Sequence, residues 1–236
     1  MLKKLDEILL SDNVVDNFKN ELNNKEFNKY IKSNLPEIFE CLNFKQNTPW
    51  HIYDVLDHIL HSIEEINKQT KYMKYKERKL LAYVMLFHDL RKPRSRTIEI
   101  KDGKEIDRFI GHNTTSAEIA KERLDNFGFN DKEKRIIIKL IEEHDMFIPL
   151  RTKPTNNPYL TFLTDDVIIK KIIELNSVGN GRKLMNYLIK IGKADNRSQN
   201  PEMANRSFGV LNKCDAILKN INYNIYNPII ATPPEF

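Results

Sequence analysis

The sequence has little of what disulfide-rich, zinc-ribbon or membrane proteins need. Its two cysteines, Cys41 and Cys214, form no CxxC pair, which argues against a zinc ribbon and a disulfide framework. No window is apolar for long enough to cross a bilayer, and the apolar run near the N-terminus is too short and too acidic in its flanks for a signal peptide. These absences predict a cytoplasmic protein with no membrane partner.

Glycine is also scarce, with seven residues, and the alternation typical of strands is confined to one passage. That passage, residues 97–109, contains Asp102-Gly103 and predicts a β-hairpin. Elsewhere apolar residues recur at helical spacing, as they do along residues 52–66. We therefore predict an all-α fold with one small β-hairpin insertion.

The length allows one large domain with a helical extension. Short amphipathic segments fill residues 1–47, so we predict an N-terminal helical extension there, a main domain over residues 48–220 and a C-terminal tail over 221–236. Residues 79–90 are apolar almost all round, which predicts a buried central helix. Thr115 and Glu118 are spaced as a capping box and predict the start of a later helix.

The formal net charge is +5, and basic proteins attract phosphate-bearing partners. Lysine, asparagine and isoleucine are abundant along the whole chain, however. Charge alone therefore leaves two interpretations open, a surface that binds RNA and a general bias in composition.

Chemistry is suggested where the apolar run AYVMLF leads directly into His88 and Asp89. Burying an unpaired carboxylate costs several kcal/mol, and a divalent cation would compensate, because Mn, Fe, Ni, Co and Zn accept imidazole and carboxylate ligands. The lack of a nearby cysteine argues against a structural zinc site. The alternative is that His88 interacts with the helix dipole while Asp89 caps the next turn.

With His58, the pair His88-Asp89 and Asp195 in this order, the sequence resembles the HD-domain metal-dependent phosphohydrolase superfamily. Five segments resemble, in order, the HD region of bacterial tRNA nucleotidyltransferases, the CCA-adding enzymes: NTPWHIYDVLDHIL, LLAYVMLFHDLRKP, RFIGHNTTSAEIAKERL, FNDKEKRIIIKLIEEH and LIKIGKADN. The resemblance covers residues 48–200 and implies an HD-domain helical bundle. Residues 1–47 lack the Gly-Ser turn with paired aspartates of the nucleotidyltransferase domain, so that domain is not expected.

The resemblance also implies roles for single residues. One or two divalent ions (Mn, Fe, Ni, Co, Mg or Zn) are implied, and their ligands are His58, His88, Asp89, His112, His144 and Asp195. Asp89 would bridge the first ion to a second one held by His112 and His144, which would otherwise be ordinary helix-terminal residues. The implied catalytic residues are His88, Asp89 and Lys92, with Lys92 on the phosphate.

Basic residues near these ligands are predicted to bind the substrate: Arg91, Lys92, Arg96, His51 and His61. Arg91 replaces the usual glycine of the HDxGKP pattern, and its guanidinium could itself hold a phosphate. His51 and His61 lie on the same helical stripe as His58; the alternative is a partly solvated face. The basic cluster after Asp89 either anchors an anion or is solvated surface.

These residues predict a metal-dependent phosphohydrolase, either a phosphatase or a phosphodiesterase. Its substrate would be a phosphorylated small molecule such as a nucleotide, or an RNA end that carries a ribose phosphate or cyclic phosphate. The alternative is a non-catalytic HD module that binds RNA or a nucleotide. All six ligand-type residues are present, which favours the enzyme because a pure binding module needs no metal set.

Overall fold

The computed structural model describes residues 1–221, apart from the side chain of Arg206, and the chain there is mostly helical, as predicted. The helices in the first half are α1 (Leu2–Leu9), α2 (Val14–Leu22), α3 (Lys25–Asn34), α4 (Ile38–Cys41), α5 (Val55–Thr70), α6 (Tyr75–Phe87) and α7 (Lys92–Ser95). Those in the second half are α8 (His112–Arg123), which a 3-10 turn (Leu124–Phe127) follows, α9 (Asp131–Glu142), α10 (Asp165–Leu175), α11 (Gly181–Arg197) and α12 (Pro201–Asn220). Of the predicted C-terminal tail, residues 222–236 lie outside the described residues.

Helix α6 is the predicted central helix, and its residues 80–87 are all buried. A helix that is apolar on every side can be accommodated only when other helices surround it, and α6 packs against α1, α5, α8, α9 and α11. The helix ends at Phe87, and His88 is its C-cap. The packing therefore fixes the position of His88 and Asp89 inside the molecule.

The first helices share the hydrophobic core of the rest of the described chain. The carboxylate of Asp6 in α1 accepts hydrogen bonds from Tyr83 Oη and Lys79 Nζ of α6, both at 2.7 Å. Helix α2 packs along α5. These contacts tie residues 1–47 to α5 and α6, while the division into an extension and a main domain stays a prediction.

The predicted hairpin is present as β1 (Thr97–Lys101) and β2 (Lys104–Arg108), which pair antiparallel. Asp102 and Gly103 both have positive φ, 52° and 72°, as a two-residue type I′ turn requires. A second pair of strands, β3 (Leu150–Arg151) and β4 (Thr161–Phe162), is parallel and was not predicted. Strands of two residues are too short to show a periodic pattern.

Helix α8 begins at His112, three residues before the predicted capping residue Thr115, so that prediction was wrong. Gly111 is the N-cap, with a φ of 76° that favours glycine, and Thr115 donates a hydrogen bond to its carbonyl within the first turn. His112 is consequently fixed on the first turn of a helix. Among residues 1–221, no helix combines the length and apolar character needed to cross a membrane.

Candidate metal centre

The six ligand-type residues predicted from the sequence come together in the structure. They are contributed by the first turns of α5 and α8 and by the ends of α6, α9 and α11: His58, His88, Asp89, His112, His144 and Asp195. All are buried except Asp195, whose side chain is 17% exposed. Convergence of helix ends explains why residues so far apart in sequence share one site.

Four of these residues form a first cluster, cluster 1. His58 Nε2 lies 3.1 Å from Asp89 Oδ2 and 2.9 Å from Asp195 Oδ1. His88 Nε2 lies 3.2 Å from the same oxygen of Asp89 and 3.7 Å from Asp195 Oδ1. Two imidazoles and two carboxylates therefore face a common point, as ligands of a divalent cation do.

The other oxygen of Asp89 belongs to a second cluster, cluster 2. Asp89 Oδ1 lies 3.0 Å from His112 Nε2 and 3.8 Å from His144 Nε2. The Nε2 atoms of His112 and His144 are 3.3 Å apart. Because Oδ2 faces cluster 1 and Oδ1 faces cluster 2, Asp89 is placed to bridge two cations.

Four polar atoms of cluster 1 have close neighbours but no hydrogen bond of acceptable geometry within the described chain. His58 Nε2, His88 Nε2 and both oxygens of Asp89 are buried and lack such a hydrogen bond within the described chain, although Lys92 Nζ contacts Asp89 Oδ2 at 2.6 Å. Ligands at right angles around a cation, each about 2.1 Å from it, are separated by about 3 Å. Three of the four separations given for cluster 1, 3.1, 2.9 and 3.2 Å, match that spacing, and the fourth is 3.7 Å, so these residues fit a divalent cation.

The hydrogen bonds of the histidines leave Nε2 free for a metal. In each ring Nδ1 is within hydrogen-bonding distance of a backbone carbonyl, and an Nδ1–H that donates there leaves a lone pair on Nε2. The carbonyls belong to Met85 (2.7 Å from His88), Phe109 (2.6 Å from His112), Ile141 (2.7 Å from His144) and Ser198 (3.2 Å from His58). The carbonyls of Met85, Phe109 and Ile141 each lie three residues before the histidine that they contact. Met85 and Ile141 belong to the last turn of a helix, where carbonyls lack helical partners.

The charged groups of cluster 1 shift one another's pKa values. Burial disfavours a charged imidazole, but Asp89 and Asp195 outweigh it and raise the pKa of His88 to about 10. Burial likewise opposes the charged carboxylates, yet the charges of His88 and Lys92 hold the pKa of Asp89 well below its usual value. Close contacts with His58 and His88 do the same for the pKa of Asp195. Without metal, a proton on His88 balances part of the negative charge.

We expect cation binding to displace that proton. A cation needs the neutral imidazole, and the pKa of His88 lies near 10, so the apparent affinity should rise about tenfold per pH unit from about pH 6 to about pH 8. Titration calorimetry with Mn²⁺ in two buffers of different ionisation enthalpy should count at least one proton released when an ion binds in cluster 1. An affinity that does not change with pH would contradict this assignment.

Two of the predicted substrate-binding residues lie beside cluster 1. Lys92 is buried, and its Nζ is 2.6 Å from Asp89 Oδ2 and 3.5 Å from His51 Nε2. The ring of His51 stands edge-on to that of His58, with centroids 4.9 Å apart. Lys92 and His51 are therefore close enough to the ligands to contact a substrate bound there.

Within the described chain, the side chains of the other three make no hydrogen bond, ion pair or ring contact with the six ligand-type residues. Arg96 forms a 2.7 Å ion pair with Asp107 of the hairpin. His61 lies against the ring of Tyr53, with a centroid distance of 4.3 Å. Arg91, next to Lys92 in sequence, donates its backbone N–H to a serine hydroxyl and is half-buried. Substrate binding by Arg91, Arg96 and His61 stays a prediction.

Sequence reasoning missed two residues at the site. The Ser198 hydroxyl is 2.6 Å from that of Ser62, and Ser198 also contacts His58 Nδ1; no pattern in the sequence indicates this. Asp145 has its carboxylate oxygens 3.4 Å from the Nε2 atoms of both His112 and His144. A signal for Asp145 did exist, because His144-Asp145 repeats the His-Asp order of residues 88 and 89.

A comparison with protein families agrees with this geometry. The family described as HD domain matches residues 51–173, more than half of the chain. The chain belongs to the HD-domain family. Its members are typically metal-dependent phosphohydrolases, so the clusters lie in a fold associated with that chemistry. The matched range includes every ligand-type residue except Asp195, which the fold places 2.9 Å from His58 Nε2. A search of curated proteins finds no match.

Proposed function

We propose that this HD-domain protein is a metal-dependent phosphohydrolase, a phosphatase or phosphodiesterase, that acts on nucleotides or on ribose phosphate or cyclic phosphate ends of RNA. The observation that carries the proposal is the position of Asp89. Its two buried oxygens lack hydrogen bonds of acceptable geometry, and each faces a different pair of imidazole nitrogens. The Lys92 ammonium contacts Oδ2 and compensates part of the charge, but a buried carboxylate whose two oxygens face four imidazoles stays costly unless divalent cations bind it.

The protein side chains have separable tasks in this proposal. Cluster 1 would hold one divalent cation, and His112 and His144 with Asp89 would hold a second. Cations bound there would polarise a phosphoryl oxygen and lower the pKa of a water for attack on phosphorus. The carbonyl of Met85 keeps the proton of His88 on Nδ1, and Asp89 orients the attacking water.

Lys92 would bind the phosphoryl group and offset its growing negative charge. Its ammonium is held beside Asp89 by a 2.6 Å contact and is largely shielded from water, so its charge is weakly screened. His51 adds a second polar contact on the same side. Arg91 and Arg96 are proposed to act further out, on other anionic parts of the substrate.

The proposed substrate class rests on the resemblance of residues 48–200 to the HD region of tRNA nucleotidyltransferases. That resemblance favours ribose phosphates, and the net charge of +5 suits an anionic partner such as an RNA end. A free nucleotide is the simplest substrate that is both a ribose phosphate and an anion. A cyclic phosphate at an RNA end also has both properties.

The proposal is tested by a metal-substituted activity screen. Chelated protein is reloaded with Mn, Fe, Co, Ni, Mg or Zn and incubated with nucleotides, cyclic phosphates and RNA oligomers that end in phosphate. At least one ion should raise turnover about a hundredfold or more above the chelated protein, since the cation supplies the charge stabilisation. The double variant His88→Ala, Asp89→Ala should show no such increase.

Equal activity of the double variant and the unchanged protein would rule out hydrolysis at this site. No turnover with any ion, together with an RNA mobility shift that persists in EDTA, would favour a non-catalytic binding module instead. Circular dichroism of both proteins checks that the double variant is folded.

A further inference from the structure

Asp145 is a carboxylate beside cluster 2 that the ligand set described so far does not use. It follows His144 directly in the turn after α9, and its side chain is 26% exposed. One oxygen lies 3.4 Å from His112 Nε2 and the other lies 3.4 Å from His144 Nε2. In the described chain it has no ion pair with a lysine or arginine within 4 Å, so the two imidazoles are its charged or ionisable neighbours at that range.

Including Asp145 makes the two clusters alike in their ligands. Cluster 1 has two imidazoles, one carboxylate of its own from Asp195, and one oxygen of Asp89. Cluster 2 has two imidazoles and the other oxygen of Asp89, and Asp145 would be the carboxylate of its own. Asp89 Oδ1 points into cluster 2 from a fully buried position without a hydrogen bond of acceptable geometry, which independently indicates a cation there.

The charge balance favours the same arrangement. Two divalent cations carry a charge of +4, and the carboxylates of Asp89, Asp145 and Asp195 together carry −3. The buried ammonium of Lys92 adds one positive charge. The loaded site would then have a net charge of +2, which matches a phosphate monoester that carries about −1.5 to −2 near neutral pH.

We infer that Asp145 is a ligand of the second divalent cation and sets the affinity of cluster 2. This inference rests on the proposed metal-dependent function and deepens it. Asp145 gives cluster 2 a negative charge of its own. Without Asp145, the negative charge at cluster 2 comes from Asp89, which the two clusters share. The second cation consequently binds tightly enough to remain during turnover.

The test counts and locates metal ions without measuring activity. Chelated protein is dialysed against increasing Mn²⁺, bound manganese is quantified by mass spectrometry, and electron paramagnetic resonance separates isolated from exchange-coupled Mn²⁺ pairs. Asp145→Asn keeps the size of the side chain and removes its charge. Asp166→Asn, on the exposed first turn of α10, is the matched control, and Asp145→Glu tests for rescue.

The unchanged protein and Asp166→Asn should bind two ions per chain with a coupled signal. Asp145→Asn should bind the first ion normally and the second at least about tenfold more weakly, and Asp145→Glu should recover part of the affinity. Tight binding of both ions by Asp145→Asn would overturn the role of Asp145 and leave the proposed function standing. One ion per unchanged chain would also overturn it and leave a one-metal hydrolase. No ion in any variant would overturn both proposals.

Discussion

Asp89→Asn is expected to abolish hydrolysis and to remove both cations. The amide keeps the shape of the side chain but loses the charge that faces cluster 1 through Oδ2 and cluster 2 through Oδ1. Because each cluster shares this one carboxylate, we expect fewer than one bound ion per chain. Loss of the cations should lower kcat/KM by at least about a thousandfold. Metal analysis and single-substrate kinetics on the same samples measure both effects.

The same substitution has a predicted cost in stability that a second variant can isolate. Without Asp89 the buried ammonium of Lys92 loses its 2.6 Å partner, which should lower the free energy of unfolding of the metal-free protein by about 3 kcal/mol. The double variant Asp89→Asn, Lys92→Met should regain part of that free energy and remain inactive. Denaturant unfolding in EDTA provides the comparison. An Asp89→Asn protein that keeps two ions and an activity within about tenfold would contradict the bridging role.

Lys92→Met is expected to slow turnover by about a hundredfold to a thousandfold while leaving metal binding in place. Methionine has a similar length and suits a buried position, so the main change is loss of the positive charge beside Asp89. If Lys92 acts on the phosphoryl group during the reaction, kcat and kcat/KM should fall together. Steady-state kinetics at saturating metal, with bound metal quantified, measures this.

Lys71→Met, at the exposed C-cap of α5, is the matched control and should leave the kinetics unchanged. A Lys92→Met protein with full metal content and unchanged kcat/KM would remove Lys92 from the catalytic machinery. If its metal content falls instead, Lys92 supports the ligands rather than the substrate.

Local patterns in the sequence were sufficient for most of the secondary structure. Helical spacing predicted α5, and the run that is apolar on all sides predicted the buried part of α6. Asp102-Gly103 predicted the hairpin turn, because its two residues must adopt positive φ. The start of α8 was predicted incorrectly, since the capping-box spacing of Thr115 competes with the N-cap that Gly111 provides four residues earlier.

Contacts between distant segments were harder to predict. Arg96 was grouped with the basic residues after Asp89, yet it pairs with Asp107 once the hairpin folds back. Ser198 contacts His58 across 140 positions of sequence, and a serine at the end of a helix gives no sign of such a partner. The order His144-Asp145 was a signal for Asp145, but its 3.4 Å distances to His112 and His144 exist only in the folded chain.

The sequence by itself determined the helical class, the hairpin and the residue types from which a cation site could be built, because periodicity, turn chemistry and ligand chemistry are local properties. The resemblance had also implied Asp195 as a ligand and Asp89 as a bridge, but the tertiary structure alone decided which oxygen of Asp89 faces each pair of histidines and that Asp145 lies beside the second cluster. The physical reason is that these distances are fixed by how α5, α6, α8, α9 and α11 pack around a shared core, and helix packing depends on the whole chain at once.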